Sequence, residues 1–355
     1  MRARNIKPKV FIWQGRWRGG AEKITQGVAE AFKKYYGISP TLGVLEKRKD
    51  VDFRQILVKE LFPEKLIGYN AFLATWYLNK KGVLDRFDIA FSHGGLFLKT
   101  KNNFYVCHEA SDLDHLLKRT PSLISKLATL SVKRWRITSM KKADLIMSST
   151  VECDKFLERH GIKNHTRSGS FVDKGIFKPA DIPSPSEKFN VLFVGRKDPI
   201  KNFEGLRKAC WELKDKVNLY VAGIANESEA NVSYLGELTE NELVEWYNRC
   251  DLFILPSFWE GFPFVLLEGL ACRTPILASK YAVPEILKEF TATFDPCKKN
   301  ELKEKILWSI DNYDEMLNMA RKGYKFVIKN YDKEKVLKEE TDTIIKVFLN
   351  AAEYG

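Results

Sequence analysis

The chain has 355 residues, 45% hydrophobic and 29% charged, as expected of a soluble globular enzyme of about two domains with a sizeable core. No apolar run approaches the ~20 residues of a membrane span, and residues 1–9 lead straight into a short strand with no signal peptide, so a cytoplasmic protein is expected. The formal charge of +12 leaves open nucleic acid, an anionic membrane surface or phosphorylated small molecules as partners.

In chain order, residues 10–13 read as a buried strand, 15–20 as a loop holding Gly19 and Gly20, and 21–36 as a helix. Strands follow at 88–91, 104–107 and 144–147. Between Leu116 and Ala143 stand eight basic residues and no acidic one, interleaved with Leu, Ile, Val and Trp. That stretch reads as a helix whose basic face either rests on acidic lipid headgroups or is simply solvated. Residues 178–186, rich in Pro and Ser, read as an interdomain linker. A second series alternates strands at 190–195, 218–223 and 251–255 with helices at 203–213, 240–250 and 265–272. Strand-like segments at 274–278 and 292–294 precede a helical pattern from 301 onward. Strands alternating with helices imply parallel sheets, hence two Rossmann-like domains facing a central cleft. The expected division is 1–175, a linker 176–188, 189–330, and a carboxyl-terminal helix 331–355 packing back on the first domain.

Glu260 and Glu268 bracket a strand-to-helix turn, Glu260 in the loop and Glu268 about two turns into the helix. Ligands bind at the carboxyl ends of strands in such sheets, and ionised carboxylates suit hydroxyl-rich ligands because they only accept hydrogen bonds. One surface and one helix glutamate would give the same spacing. After the strand 190–195, Gly195 permits a turn, and Arg196 and Lys201 project from the loop. Two cations in a partly dehydrated cleft hold a diphosphate, though the pair also fits solvated surface charges. Gly19-Gly20 offers backbone N–H groups at a helix start, or a plain turn. His108 ends the strand 104–107, a position that faces ligands but also suits a structural histidine.

Metal chemistry is poorly supported. Asp50-Val51-Asp52 and Asp112-Leu113-Asp114 have a spacing that is common by chance, and His160 and His165 lack partners completing a zinc set. The six cysteines show no metal or redox spacing, which favours buried free thiols in a reducing compartment.

Taken together, these residues resemble glycosyltransferase family 4, the retaining enzymes of the GT-B fold. The resemblance is carried by Gly19-Gly20-Ala21-Glu22-Lys23, His108, Phe171-Val172-Asp173, Phe177-Lys178-Pro179, Gly195-Arg196 with Lys201, Tyr234-Leu235-Gly236, Glu260-Gly261-Phe262-Pro263 through Glu268, and 274–279 with Pro284-Glu285. It covers nearly the whole chain and is most specific over 190–286. The chain departs from the family at Ser170-Phe171, where Asn-Gly is common, at Ala282-Val283, where Gly-Gly is common, and at Pro263, which is frequently Gly.

The resemblance implies a role for each residue. Arg196 and Lys201 would stabilise the diphosphate leaving group, Glu268 would bind the ribose hydroxyls, and Glu260 the donor sugar. His108 would contact that sugar, Gly19-Gly20 would give the phosphates or acceptor room, and Gly195, Gly261, Phe262 and Pro263 would line the donor site. The expected activity is metal-independent transfer from a nucleotide-diphosphate sugar, UDP- or GDP-linked, to a glycan or lipid-linked acceptor, with no further cofactor. The competing readings are a basic nucleic-acid-binding protein and a sugar-nucleotide epimerase or phosphorylase on the same fold. No nucleic-acid recognition motif supports the first.

Overall fold

The computed structural model describes residues 7–15, 19–58, 67–109 and 123–354, those at 67–69, 123–129 and 354 as backbone only. The chain packs as two compact units, Met1–Gly169 with Lys335–Gly355, and Ser170–Glu334.

The first unit holds strands β1 (Val10–Gly15), β2 (Thr41–Val44), β3 (Arg54–Leu57), β4 (Ile89–His93), β5 (Phe104–Glu109), β6 (Leu145–Ser148) and β7 (His165–Arg167). They form a seven-stranded sheet in the order β3-β2-β1-β4-β5-β6-β7, with every pairing parallel. β1, β2, β5 and β6 are buried along their whole length, as strands covered on both faces must be, so their sequences are mostly apolar rather than alternating, with polar residues such as Gln14, His108, Glu109 and Ser148 towards the carboxyl ends of β1, β5 and β6. The covering helices are α1 (Gly19–Tyr36), α2 (Ile67–Lys80), α3 (Leu123–Met140) and α4 (Val151–Arg159). Thr150 starts α4 by accepting the Cys153 N–H on its side chain. Phe11, Trp13, Phe72, Tyr105 and Phe156 anchor the core.

The second unit holds β8 (Phe189–Val194), β9 (Val217–Ala222), β10 (Val232–Gly236), β11 (Leu252–Leu255), β12 (Ile276–Ser279) and β13 (Ala292–Phe294), all parallel in the order β10-β9-β8-β11-β12-β13. Its helices are α5 (Phe203–Glu212), α6 (Glu240–Arg249), α7 (Phe264–Ala271), α8 (Glu301–Asp311) and α9 (Tyr313–Asn330). A capping box of Thr239 and Glu242 fixes the start of α6. Residues 178–188 lie along this unit. The Asn248 amide accepts the Ala180 N–H at 2.7 Å and donates to the Lys178 carbonyl at 3.1 Å, while Asn190 binds Ser184 and Ser186. The chain passes between the units at 169/170 and again at 334/335.

The last helix, α10 (Lys333–Tyr354), starts in the second unit and belongs from Lys335 to the first. Within the first unit the Tyr36 hydroxyl donates to Asp342 at 2.5 Å, Ser168 Oγ donates to Glu340 Oε2 at 2.8 Å, and Phe104 meets Phe348 edge-on. Five cysteines are buried and free, and Cys297 is exposed. Among the described residues no helix is long and apolar enough to cross a membrane.

In each sheet the strand order reverses once, at β1 between β2 and β4 and at β8 between β9 and β11. Such switch points open a crevice at the carboxyl ends of the strands, the place where open parallel sheets hold ligands.

Candidate active site

The β8/β11 switch point of the second unit brings together most of the charged residues singled out in the sequence. Arg196 follows β8, and Lys201 closes a short 3₁₀ turn, Pro199–Lys201, started by Asp198, whose side chain accepts the Ile200 N–H. Asn202 then adopts φ 51°, a left-handed conformation that asparagine tolerates, and α5 begins. The neighbouring loop after β11 carries Ser257 and Glu260. Lys201 Nζ lies 2.6 Å from Glu260 Oε1, and the same oxygen accepts the Ser257 hydroxyl at 2.6 Å. The two loops are fastened through backbone: the Phe258 N–H donates to the Ile200 carbonyl at 2.8 Å, and Asn202 Nδ2 to the Pro256 carbonyl at 3.3 Å. Arg196 is exposed, and among the described residues no hydrogen bond or ion pair engages its side chain. The loop pair therefore presents one paired cation, one unpaired cation and a carboxylate.

Gly195 acts differently from the turn expected of it. Its φ is not left-handed; instead a Cβ there would press on the Phe193 ring at 3.0 Å. Gly223, at the end of β9 with φ +87°, approaches so closely that a Cβ would lie 2.7 Å from the Gly195 carbonyl oxygen. The two glycines keep the carboxyl ends of β8 and β9 free of side chains.

Glu268, in the second turn of α7, is only 3% exposed, and the Tyr247 hydroxyl shares its proton between the Val265 carbonyl at 3.2 Å and Glu268 Oε2 at 3.4 Å. Burial, and then the Glu268 charge, push the Tyr247 phenol well above its ordinary range, so it stays a donor. Phe262 and Pro263 are buried and Gly261 is half-buried. The Phe262 ring packs on Tyr331 at 5.4 Å and its carbonyl accepts from Ser170, so this residue anchors the loop within the unit.

In the first unit, Gly19 and Gly20 are the first residues of α1, Gly19 with φ +72° and nothing within 4 Å of an added Cβ. Residues 16–18 lie outside the described residues. Gln14, buried at the end of β1, is hydrogen-bonded to Thr25 of α1, while its Nε2 has no partner among the described residues. His108 lies inside β5 rather than after it and is 0% exposed. Its Nδ1 is 3.1 Å from His93 Nδ1, and its Nε2 is 3.3 Å from Ser149 Oγ. Burial holds both imidazoles neutral, His93 with its pKa lowered to about 4 and His108 well below the usual range. Sequence reasoning missed His93 and Gln14. A histidine followed by Gly94-Gly95 at the end of an apolar strand was the available signal.

The basic stretch is more divided than its sequence suggests. Residues 116–122, with Lys118 and Arg119, lie outside the described residues. Arg136 turns inward to an ion pair with the fully buried Glu109, so it is not part of a lipid-facing surface. Arg134, Leu130 and Trp135 are exposed, and with Ser131 and Thr138 they line a cleft of about 430 Å³. Trp135 packs edge-on against Phe72 of α2, whose exposed Trp76 and Tyr77 lie under Lys80 and Lys81.

The metal candidates are dispersed. Asp50 pairs with Arg48 and Asp52 with Lys33, and Asp112 and Asp114 fall outside the described residues. His165 faces Asp154 at 3.5 Å, and the His160 ring lies 4.7 Å from that of Phe156, tilted by 60°. Among the described residues no three His, Cys, Asp or Glu side chains gather as a metal set.

Residues 176–326 match the sequence profile of the family described as glycosyl transferases group 1. The match lies within the second unit and takes in less than half of the chain. Arg196, Lys201, Glu260 and Glu268 all fall inside the matched residues. A curated relative from Campylobacter jejuni, N,N'-diacetylbacillosaminyl-diphospho-undecaprenol alpha-1,3-N-acetylgalactosaminyltransferase, is 30% identical over 144 residues, 37% of this chain and 38% of the relative. The chain thus matches little more than a third of that relative's length. Among solved structures, a sucrose-phosphate synthase from Thermosynechococcus elongatus superposes with a TM-score of 0.82 at 14% identity, covering 97% of this chain and 100% of that one. HepE from Anabaena, solved with UDP and glucose, superposes with a TM-score of 0.72 at 15% identity, covering 96% and 100%. The fold of the chain is GT-B, and the profile match falls within its second unit.

Proposed function

We infer that this chain is a retaining, metal-independent glycosyltransferase that moves a sugar from a nucleotide-diphosphate sugar to a hydroxyl of a glycan or lipid-linked acceptor. The observation that carries this reading is the gathering of Arg196, Lys201 and Glu260 on two fastened loops at the β8/β11 switch point, inside the residues that match the group 1 profile. Breaking a sugar–phosphate bond leaves an oxocarbenium-like sugar and growing negative charge on phosphate. Cations fixed before the reaction stabilise that charge without the cost of reorganisation. Arg196 offers a planar fork and Lys201 a compact charge, which together meet the need a metal ion meets in other transferases. In this reading Lys201 exchanges or shares Glu260 when phosphate enters, leaving the carboxylate to accept sugar hydroxyls. Glu268, with Tyr247 beside it, accepts from the ribose, and Gly195 and Gly223 let the diphosphate approach backbone. His108 serves the donor sugar, and Gly19-Gly20 the phosphates or the acceptor.

The exposed Trp76, Tyr77, Leu130 and Trp135, set among Lys80, Lys81 and Arg134, support docking of the first unit on anionic lipid at the cytoplasmic membrane face. Amphipathic aromatics and long cations are the residues that settle at such interfaces. A lipid-linked acceptor fits that placement. A thermal-shift panel of UDP-, GDP- and ADP-sugars tests the donor, since a ligand at a hundred times its Kd adds ~2.7 kcal/mol of stability. Absence of any shift, together with salt-sensitive binding of nucleic acid, would overturn the reading.

A further inference from the structure

The carboxyl edge of the first unit's sheet contains a histidine pair. His93 ends β4, the strand beside the β1/β4 switch point, and its register partner on β5 is His108. Register partners on adjacent parallel strands point to one face, so the rings meet, with centroids 5.2 Å apart and planes tilted by 32°. The Nδ1 atoms are 3.1 Å apart, which is hydrogen-bonding distance.

A neutral imidazole carries one N–H and one bare nitrogen. Two Nδ1 atoms at this distance bind only if one is protonated and the other is not. Each arrangement dictates the far nitrogen of His108. If His93 donates, His108 carries its proton on Nε2 and donates to Ser149. If His108 donates, its Nε2 is bare and accepts the Ser149 hydroxyl. His93 is the more exposed ring, and among the described residues its Nε2 makes no hydrogen bond. The charged groups facing His93, Glu109 and Arg136, pull its proton affinity in opposite directions, and burial outweighs both.

We propose that His93 is a positioning residue of the first unit's site, fixing the tautomer and ring angle of His108 through the Nδ1–Nδ1 contact. This rests on the reading of His108 as a residue that serves the donor sugar.

The test uses the full chain with ¹⁵N-labelled histidine. Long-range ¹H–¹⁵N spectra, assigned with single-histidine variants, should show one ring of the pair protonated on Nδ1 and the other on Nε2 at pH 7. Both rings protonated on Nε2 would overturn the proposal on the wild-type protein alone. In His93→Leu the His108 signals should move towards a mixture of tautomers. With the sugar nucleotide selected from UDP-glucose, GDP-mannose and ADP-glucose, kcat should fall about 10-fold or more while donor KM changes less than about 3-fold. His93→Asn, which keeps a polar atom near the Nδ1 position, should restore kcat to within about 3-fold of wild type. Equal loss in both variants would mark His93 as packing only and overturn the proposal. Complementary tautomers without turnover of any sugar nucleotide would leave the pairing established and overturn the enzymatic reading instead.

Discussion

Lys201 and Glu260, 59 positions apart in sequence, form a 2.6 Å ion pair across two loops that follow adjacent strands. Because the Ser257 hydroxyl shares the same carboxylate oxygen, Glu260 is held from both sides and the ammonium is fixed in place. Removing either charge therefore does two things at once. In the proposed reading it deletes a contact to the donor, and it frees its partner to move.

Arg196→Ala or Lys201→Ala should lower donor turnover about 10²-fold or more, the usual effect of losing one electrostatic stabiliser. Near-normal turnover in both variants would remove the leaving-group assignment. Activity should persist in EDTA. Strict dependence on manganese would return attention to Asp112 and Asp114.

The two glutamates should separate by ligand. Glu268→Ala is expected to weaken free nucleotide diphosphate and intact donor alike. Glu260→Ala should leave free nucleotide binding near normal while reducing sugar-dependent affinity and rate. Calorimetry with both ligands on both variants reads this directly, and equal losses throughout would show that the roles are misassigned.

Glu340 gives a pH prediction. It is buried in α10 with Ser168 on Oε2 and, among the described residues, no partner on Oε1, and burial raises its pKa from 4.5 to about 7 against the opposing Ser168 bond. The folded state thus binds this proton more tightly than the unfolded chain. The resulting stability is fully present below about pH 4.5 and is lost as pH rises through about 7. The loss is on the order of 3 kcal/mol between about pH 5 and pH 8. Glu340→Gln should flatten that slope in urea unfolding measured at several pH values. Parallel pH curves for variant and wild type would refute it.

Liposome flotation should show binding that requires anionic lipid and disappears at high salt, since each cation near such a surface contributes ~1 kcal/mol within a Debye length. Reversing Lys133 and Arg134 to Glu should abolish flotation while donor hydrolysis in solution persists. Arg136 is unsuitable for this test, because reversing it would place two carboxylates against each other at the buried Glu109. Wild-type protein that ignores anionic vesicles at low salt would make a soluble acceptor the better reading.

The strands that flank the second unit's site were legible because burial on both faces makes them continuously apolar, as in β8 and β11. The edge strands β3 and β7 were not. They are three or four residues long, polar and half-exposed, so neither alternation nor a continuous run marks them. α2 escaped because its exposed Trp76 and Tyr77 blur the contrast between an inner and an outer face. The charged site residues were visible one by one, but their partnerships were not. Lys201 meets Glu260 only because β11 inserts beside β8 after β9 and β10 have passed on the other side. His93 meets His108 only through the register of β4 and β5. Such juxtapositions arise from topology, which local periodicity does not encode.

The route of α10 has a consequence for biosynthesis. The second unit is one continuous stretch, Ser170–Glu334, and can close as soon as that stretch has left the ribosome. The first unit, although translated earlier, waits for residues 335–355 to supply Glu340, Asp342 and Phe348 to Ser168, Tyr36 and Phe104. The order of completion is therefore the reverse of the order of translation, and a nascent chain stalled before residue 335 would carry a finished second unit and an unfinished first one.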